Sequence, residues 1–151
     1  MLRMVWCRRS SILFCTPEMH ATEGSTVIYG IGVDLIEIER IAQAITRTGQ
    51  RLIERLYTDA EQAYCCRQHH PYACYAARFA AKEALLKALG TGLRQHMRWR
   101  DIEVCRDDLG KPSLRLYGYL QERCVTEGIQ HIHLSLAHSA TCAIAQVILE
   151  R

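Results

Sequence analysis

The sequence contains no apolar run close to the ~20 residues that a membrane-spanning helix requires, which excludes such a helix. It also lacks a dense basic stretch. The formal net charge is only +3 and the pI is about 8.5, far from the strongly cationic surface of a dedicated nucleic-acid-binding protein. We therefore expect a soluble protein that binds neither membranes nor nucleic acids.

Lysine is also scarce, since only Lys82, Lys87 and Lys111 occur among 19 basic residues. An ammonium is a compact point charge, whereas the guanidinium of arginine is a planar fork. All three lysines lie in segments that carry the motifs described below. Their restriction to these segments indicates that a compact cation is needed there.

The chain is long enough for one compact domain, with 151 residues, of which 49% are hydrophobic and 23% charged. Residues 1–26 show no clear periodicity and end in a polar stretch. We expect these residues to be an N-terminal extension, either a disordered arm or a start-site artefact. The domain is expected to cover residues 27–151.

Eight cysteines are present, but the chain lacks the short, core-poor character of a disulfide scaffold. We therefore expect reduced thiols in a cytoplasmic protein. One cluster, CCRQHHPYAC, contains potential zinc ligands: Cys65, Cys66, His69, His70 and Cys74. It has no CxxC spacing, so we favour the end of a surface helix. The alternative function is a noncatalytic zinc- or anion-binding module.

The pattern of elements predicts an α+β fold with an antiparallel sheet, one long helix and shorter helices. A β-branched run predicts the first strand, and Thr58 with Glu61 forms a capping box. Pro71 and Gly90 bracket the long helix. The predicted strands are 27–36, 99–107, 113–118, 131–138 and 141–150, and the predicted helices are 37–47, 50–56, 58–67, 71–89 and 117–127.

Two glycines, Gly30 and Gly32, lie on the same face of the first strand and precede Asp34. Glycine within a strand often marks the close approach of a ligand or of another backbone. Packing glycines followed by a solvated aspartate are an equally plausible interpretation.

Glu83 and Lys87 are four residues apart and share one face of the long helix, which ends at Gly90-Thr91-Gly92. On their own they could form an ordinary surface ion pair. His138 and the Gly110-Lys111-Pro112 segment both lie at predicted turns, where such residues are usually unremarkable.

Together, these segments resemble the holo-acyl-carrier-protein synthases, the short class of 4'-phosphopantetheinyl transferases. Four motifs carry the resemblance, in the family's order: GIGVDLIEIERI at 30–41, RFAAKEALLKALGTG at 78–92, GKP at 110–112 and an SxxH strand end at 135–138. Enzymes of this family transfer phosphopantetheine from coenzyme A to a serine of apo-acyl carrier protein and release adenosine 3',5'-bisphosphate. The resemblance implies the family's fold and this activity.

The resemblance implies that Asp34 and Glu83 bind Mg²⁺, for which Mn²⁺ could substitute, and that Lys87 stabilises the leaving phosphate. Mg²⁺ prefers few carboxylates together with water and phosphate oxygens. A water held at the metal or at a carboxylate is the favoured acceptor of the serine proton, and Glu61 is a second candidate. Coenzyme A would contact Arg78, Gly90, Thr91, Gly92, Lys111 and His138.

The resemblance also implies two kinds of protein partner. An acidic acyl carrier protein would dock near Arg40 and Arg47, which lie on one side of the first helix. Family members are typically homotrimers whose sites are shared between neighbouring subunits.

Overall fold

The computed structural model of the chain describes residues 27–94 and 96–151, so the predicted extension over residues 1–26 lies outside the described residues. The elements, in chain order, are β1 (Ile28–Glu37), α1 (Ile38–Thr48), α2 (Gln50–Leu56), α3 (Asp59–Cys66), α4 (Pro71–Ala88), a 3₁₀ turn (Trp99–Asp101), β2 (Ile102–Arg106), β3 (Pro112–Leu116), α5 (Gly118–Thr126), β4 (His131–His138) and β5 (Cys142–Glu150). None of the helices in the part that the structure describes is long and apolar enough to cross a membrane.

All strand pairs are antiparallel, which confirms the predicted α+β class. β5 lies between β1 and β4 in a three-stranded sheet, while β2 and β3 form a separate two-stranded sheet. The predicted strand 99–107 begins three residues later than expected. Its first residues form a 3₁₀ turn in which the Asp101 N–H donates to the Arg98 carbonyl.

The long helix α4 packs directly against β1, and the two glycines of β1 make this contact possible. A Cβ added at Gly32 would lie 1.9 Å from the Ala84 carbonyl oxygen, and one at Gly30 would lie 2.1 Å from that of Ala88. The close approach predicted at these glycines is therefore that of a helix backbone. Only small residues on both elements allow this separation.

One face of the three-stranded sheet is covered by α4, and the opposite face is open in the part of the chain that the structure describes. Strand alternation places Ile31, Val33 and Leu35 of β1 on the open face, where they are between 46% and 60% exposed. Ile144 of β5 pairs with Leu35, and Ile148 pairs with Ile31. This open sheet face is an apolar surface, and such surfaces commonly mark sites of association.

Candidate functional site

Asp34 lies near the end of β1 on the face that packs against α4, and this places its carboxylate beside Lys87. The Lys87 Nζ atom donates to Asp34 Oδ1 at 2.8 Å and to the Val33 carbonyl at 3.0 Å. The Asp34 side chain is 14% exposed, whereas that of Lys87 is 51% exposed. The ammonium therefore reaches the site from its solvent side.

Glu83 lies one helical turn before Lys87 on the same face of α4. Burial raises the pKa of its carboxyl group, the nearby Asp34 carboxylate raises it further, and Lys87 opposes both effects. Lys87 pairs with Asp34, so the simple surface ion pair between Glu83 and Lys87 is not formed. The structure thus brings two carboxylates from distant segments within electrostatic reach of each other and of one ammonium.

These three residues line a cavity of about 520 Å³ between β1, α1 and α4. Its remaining wall is largely apolar and contains Ile41, Leu52, Phe79 and Trp99, with Arg40 among the lining residues. The Phe79 and Trp99 rings lie 5.1 Å apart between centroids. We call this the acidic cavity. Sequence reasoning missed its aromatic wall, because no local signal places residue 99 next to residue 79.

The donor set of the acidic cavity fits a hard divalent cation. Two neighbouring carboxylates repel each other, and after burial this repulsion by Asp34 is the second cause that raises the pKa of Glu83. Mg²⁺ characteristically uses one or two carboxylates and completes its shell with water and phosphate oxygens. Across 27–94 and 96–151, no group of three or more His, Cys, Asp or Glu residues is arranged to bind a metal.

Arg78 and His138, two of the predicted coenzyme-binding residues, line a different cavity of about 520 Å³ together with Tyr64 and Arg106. The Arg78 guanidinium stacks over Tyr64 at 4.3 Å, and Nη1 donates to the Cys74 sulfur at 2.8 Å. Its Nε atom is buried and has no hydrogen-bond partner among residues 27–94 and 96–151. We call this the basic cavity, and its orphan donor is suited to an anionic ligand.

Lys111 and the Gly90–Gly92 loop line neither of these cavities. Lys111 lies in the turn between β2 and β3, where its backbone N–H donates to Asp107 Oδ1 at 2.8 Å. Gly90 and Gly92 have φ values of 68° and 61°, a conformation that favours glycine. Within one protomer, the structure does not bring these residues together with Asp34.

Glu61 is unsuited to accept the serine proton, so its prediction as the second candidate for this role is wrong. The side chain is fully buried and accepts hydrogen bonds from the Thr58 and Val104 backbone N–H groups and from Lys82. The predicted capping box with Thr58 is confirmed. Glu61 therefore has a structural position away from the acidic cavity.

The structure joins Cys65 to Cys74 in a disulfide, so the prediction that all cysteines are reduced is wrong for this pair. Cys66 is free and exposed, and the His69 and His70 rings form a hydrogen bond with each other at 3.1 Å. The prediction failed because α3 and α4 pack against each other, a tertiary arrangement that spacing alone does not reveal. With two of its sulfur atoms bonded, the cluster has no zinc-binding geometry.

Arg40 and Arg47, the predicted docking residues, are both exposed on α1. The buried face of α1 consists of Ile41 and Ile45, as its periodicity predicts. Arg40 also lines the acidic cavity, so a partner bound at this surface would be next to Asp34 and Glu83.

Comparison with protein families gives one match, to the 4'-phosphopantetheinyl transferase superfamily, over residues 30–145. The holo-acyl-carrier-protein synthase of Geobacter sp. (strain M21) is 47% identical over 125 residues, which cover 83% of this chain and 100% of that protein. The corresponding protein of Trichlorobacter lovleyi is 48% identical over 124 residues, covering 82% of this chain and 98% of that protein.

Solved structures give the same picture. The holo-acyl-carrier-protein synthase from Neisseria meningitidis superposes with a TM-score of 0.78 at 34% identity, covering 83% of this chain and 100% of that one. A holo-acyl-carrier-protein synthase from Bacillus anthracis, solved in complex with CoA (3',5'-ADP), has a TM-score of 0.67 at 38% identity. It covers 82% of this chain and 96% of that chain.

Proposed function

The chain belongs to the 4'-phosphopantetheinyl transferase superfamily, and from this membership we infer that it transfers the 4'-phosphopantetheine group of coenzyme A to a serine of apo-acyl carrier protein. The products are holo-acyl carrier protein and adenosine 3',5'-bisphosphate. Within the superfamily it has the activity of a holo-acyl-carrier-protein synthase, and residues 27–151 are proposed as the catalytic unit. The observation that carries this function is the convergence of Asp34, Glu83 and Lys87 on one cavity.

We propose that Asp34 and Glu83 bind Mg²⁺, with Mn²⁺ as a substitute. The bound ion would neutralise charge on the pyrophosphate of coenzyme A, which phosphoryl transfer requires. The electrostatic coupling between the two carboxylates supports this assignment. Both side chains are fixed by regular elements, one by β1 and the other by α4, so their separation is set by the packing of α4 on β1.

Lys87 is proposed to stabilise the leaving phosphate. Its Nζ atom now donates to Asp34 Oδ1 and to the Val33 carbonyl, and with one donor remaining it can also bind an anion. The half-exposed side chain can turn toward a bound phosphate without leaving the cavity. Charge-assisted bonds of this kind are the strong ones in phosphate recognition.

Coenzyme A is the donor substrate, and we propose that Arg78 and His138 bind its phosphates, with Lys111, Gly90, Thr91 and Gly92 as further contacts. The buried, unpartnered Nε of Arg78 supports this assignment. Burial lowers the pKa of Arg78 and nearby Glu61 opposes the shift, but a guanidinium remains charged at physiological pH. Bound phosphate would supply the missing partner.

The acidic and basic cavities share no lining residue in one protomer. We propose that the chain forms a homotrimer in which coenzyme A lies between the acidic cavity of one subunit and the basic cavity of its neighbour. The open apolar face of β1 and β5 supports association, since it exposes Ile31, Val33 and Leu35 to water in the single chain.

Acyl carrier protein is the second substrate. We propose that its acidic surface docks on α1 near Arg40 and Arg47, which places the acceptor serine close to the acidic cavity. No nucleic-acid or membrane partner is part of the proposal. A cytoplasmic location and a role in fatty acid biosynthesis are proposed from the two substrates alone.

The direct test is incubation of the protein with coenzyme A, Mg²⁺ and an apo-acyl carrier protein, followed by mass spectrometry of the carrier. Phosphoryl transfer predicts a gain of ~340 Da on the acceptor serine. A carrier whose acceptor serine is replaced by alanine is the matched control and should gain nothing. No mass gain with Mg²⁺ or Mn²⁺ on the intact carrier would refute the proposed function.

A further inference from the structure

A second ion pair on α4, Lys82 with Glu61, is completely buried, and the mechanism above does not use it. Both side chains are 0% exposed, and the Lys82 Nζ to Glu61 Oε2 distance is 2.7 Å. The ammonium also donates to the Leu56 carbonyl at 2.7 Å and to the Trp99 carbonyl at 3.1 Å. All three ammonium hydrogens therefore have acceptors.

Glu61 is satisfied to the same degree. Its Oε2 accepts from the Thr58 backbone N–H at 2.9 Å as well as from Lys82, and its Oε1 accepts from the Val104 N–H at 3.0 Å. The pair thus joins α4 to the end of α2, to the start of α3, to the 3₁₀ turn and to β2. No other ion pair in the part of the chain that the structure describes has both side chains fully buried.

Stability alone does not account for such a pair. Well-packed apolar residues often replace a buried ion pair with no loss of stability, because removing two charges from water costs more than their attraction returns. An apolar pair cannot supply directional hydrogen bonds. The Lys82 ammonium holds two backbone carbonyls and one carboxylate at fixed positions, whereas methylene groups would let these elements slide.

The position of Lys82 connects this anchor to the acidic cavity. Lys82 immediately precedes Glu83 on α4, and successive residues of a helix point about 100° apart. The Trp99 carbonyl is a Lys82 acceptor, while the Trp99 ring stacks on Phe79 and lines the acidic cavity. Any shift of the anchor would therefore move both a carboxylate and the aromatic wall of the site.

We infer that Lys82 and Glu61 are positioning residues, which fix the rotation of α4 and the Trp99 turn so that Glu83 and Lys87 face Asp34. The inference rests on the proposed function, because it assigns the pair a role in the same site. Neither residue lines the acidic or the basic cavity, so both act on the reaction through Glu83, Lys87 and Trp99.

The test compares Glu61→Gln and the double variant Lys82→Met/Glu61→Gln with Ile132→Ala. Glu61→Gln keeps one oxygen for the Thr58 N–H and Lys82, but its amide NH2 replaces the oxygen that accepts from the Val104 N–H, and the charge that compensates the ammonium is lost. The double variant removes both charges. Ile132→Ala truncates a half-buried side chain of β4 that packs against the core and pairs with Leu149 of β5, outside the acidic cavity, and should lower Tm by about 3–10 °C.

Activity is measured well below Tm, where every variant is folded. We expect kcat to fall about 10- to 100-fold in Glu61→Gln, because small misplacement of reacting groups costs rates of this size, and KM for coenzyme A to change less than about threefold. The double variant should have a higher Tm than Glu61→Gln but the same low kcat. Ile132→Ala should lose Tm and keep wild-type kcat.

A second readout needs no activity. In a Trp6→Phe background Trp99 is the remaining tryptophan, and its emission in metal-free protein should shift in the Glu61→Gln and double variants but not in Ile132→Ala. A kcat that recovers together with Tm, or unchanged kcat and emission in folded Glu61→Gln, would overturn the inference. Failure of the wild-type protein to transfer phosphopantetheine would instead refute the proposed function, and with it this role, whatever Trp99 shows.

Discussion

Two ion pairs on the same helix differ in almost everything except their bond length. Lys87 bonds to Asp34 at 2.8 Å, and its side chain is half exposed. Lys82 bonds to Glu61 at 2.7 Å, and both partners are inaccessible to water. The outer pair has a second carboxylate, Glu83, close enough to interact electrostatically with it, and the Lys87 ammonium keeps one free donor. In the inner pair, every ammonium hydrogen has an acceptor and both carboxylate oxygens have a donor.

The comparison teaches how to distinguish a site from a scaffold when both use the same residue types. A saturated, buried pair can only hold its neighbours in place. An open pair beside a surplus carboxylate can exchange its partners for a metal ion and a phosphate. We therefore expect changes at the outer pair to affect activity with little effect on folding, and changes that move α4 to affect both.

The largest effect is expected at the outer site. Asp34→Ala and Glu83→Ala should each reduce transfer by about 10²–10³-fold, the size of loss seen when a group that stabilises transition-state charge is removed. Tm should stay close to that of the wild type. The measurements are kcat/KM with Mg²⁺ and thermal unfolding.

Glu122→Ala is the matched control for these variants, since Glu122 is an exposed carboxylate on α5. It should leave both quantities unchanged. Near-normal turnover in either Asp34→Ala or Glu83→Ala would contradict the metal assignment.

Gly32→Ala should disturb the outer and the inner ion pair together. Its Cβ would lie 1.9 Å from the Ala84 carbonyl oxygen, so α4 must move away from β1. We expect a loss of about 3 kcal/mol in the free energy of unfolding, the upper end for overpacking, together with reduced transfer. Chemical denaturation and the transfer assay measure the two effects.

Gly128→Ala is the control for the glycine substitution. Gly128 has a φ of 71° but nothing within 4 Å of an added Cβ, so the substitution introduces backbone strain without a clash. It should lose about 1 kcal/mol and retain activity. Equal behaviour of the two variants would show that the α4 contact with β1 is not what Gly32 protects.

The disulfide offers a third change, which acts on the scaffold and leaves the outer pair intact. Cys65→Ser removes the link between α3 and α4 and should cost about 2–3 kcal/mol, the loop-closure value for so short a loop. Thermal unfolding with and without a reductant measures this effect.

A reductant should lower the Tm of the wild-type protein. It should lower the Tm of Cys66→Ser equally, because Cys66 is a free thiol and this variant keeps the disulfide. The Tm of Cys65→Ser should not respond to the reductant. A wild-type Tm that is insensitive to reductant would disprove the role assigned to the disulfide.

The smallest effect is expected at the docking surface. Arg40→Glu should raise KM for acyl carrier protein about tenfold and leave KM for coenzyme A nearly unchanged, because a reversed charge at a rim acts mainly on encounter with an acidic partner. Arg67→Glu, a charge reversal at an exposed residue after α3, should change neither constant. An unchanged carrier KM in Arg40→Glu would remove this residue from the docking surface.

Local signals predicted most of the fold. The β-branched run of β1, the capping box at Thr58 and the Pro71 and Gly90 boundaries of α4 are short-range features, and the structure confirms each of them. Their spacing also placed Glu83 and Lys87 on one helix face.

Which side chains contact each other across separate elements could not be predicted in the same way. Lys87 bonds to Asp34, 53 residues away, instead of to Glu83 on its own helix. The burial of Lys82, the link between Cys65 and Cys74, and the Trp99 ring beside Phe79 likewise depend on how separate elements pack. No periodicity or cap reports on such contacts, because they are set by tertiary geometry.

The central claim is that Asp34 and Glu83 jointly bind one divalent ion, and Mn²⁺ binding followed by electron paramagnetic resonance tests it most directly. With coenzyme A present, wild-type protein and Glu122→Ala should bind one Mn²⁺ per chain. Asp34→Ala and Glu83→Ala should each weaken that binding more than about tenfold, since each removes one of two carboxylate ligands. Unchanged Mn²⁺ affinity in both variants would contradict the account.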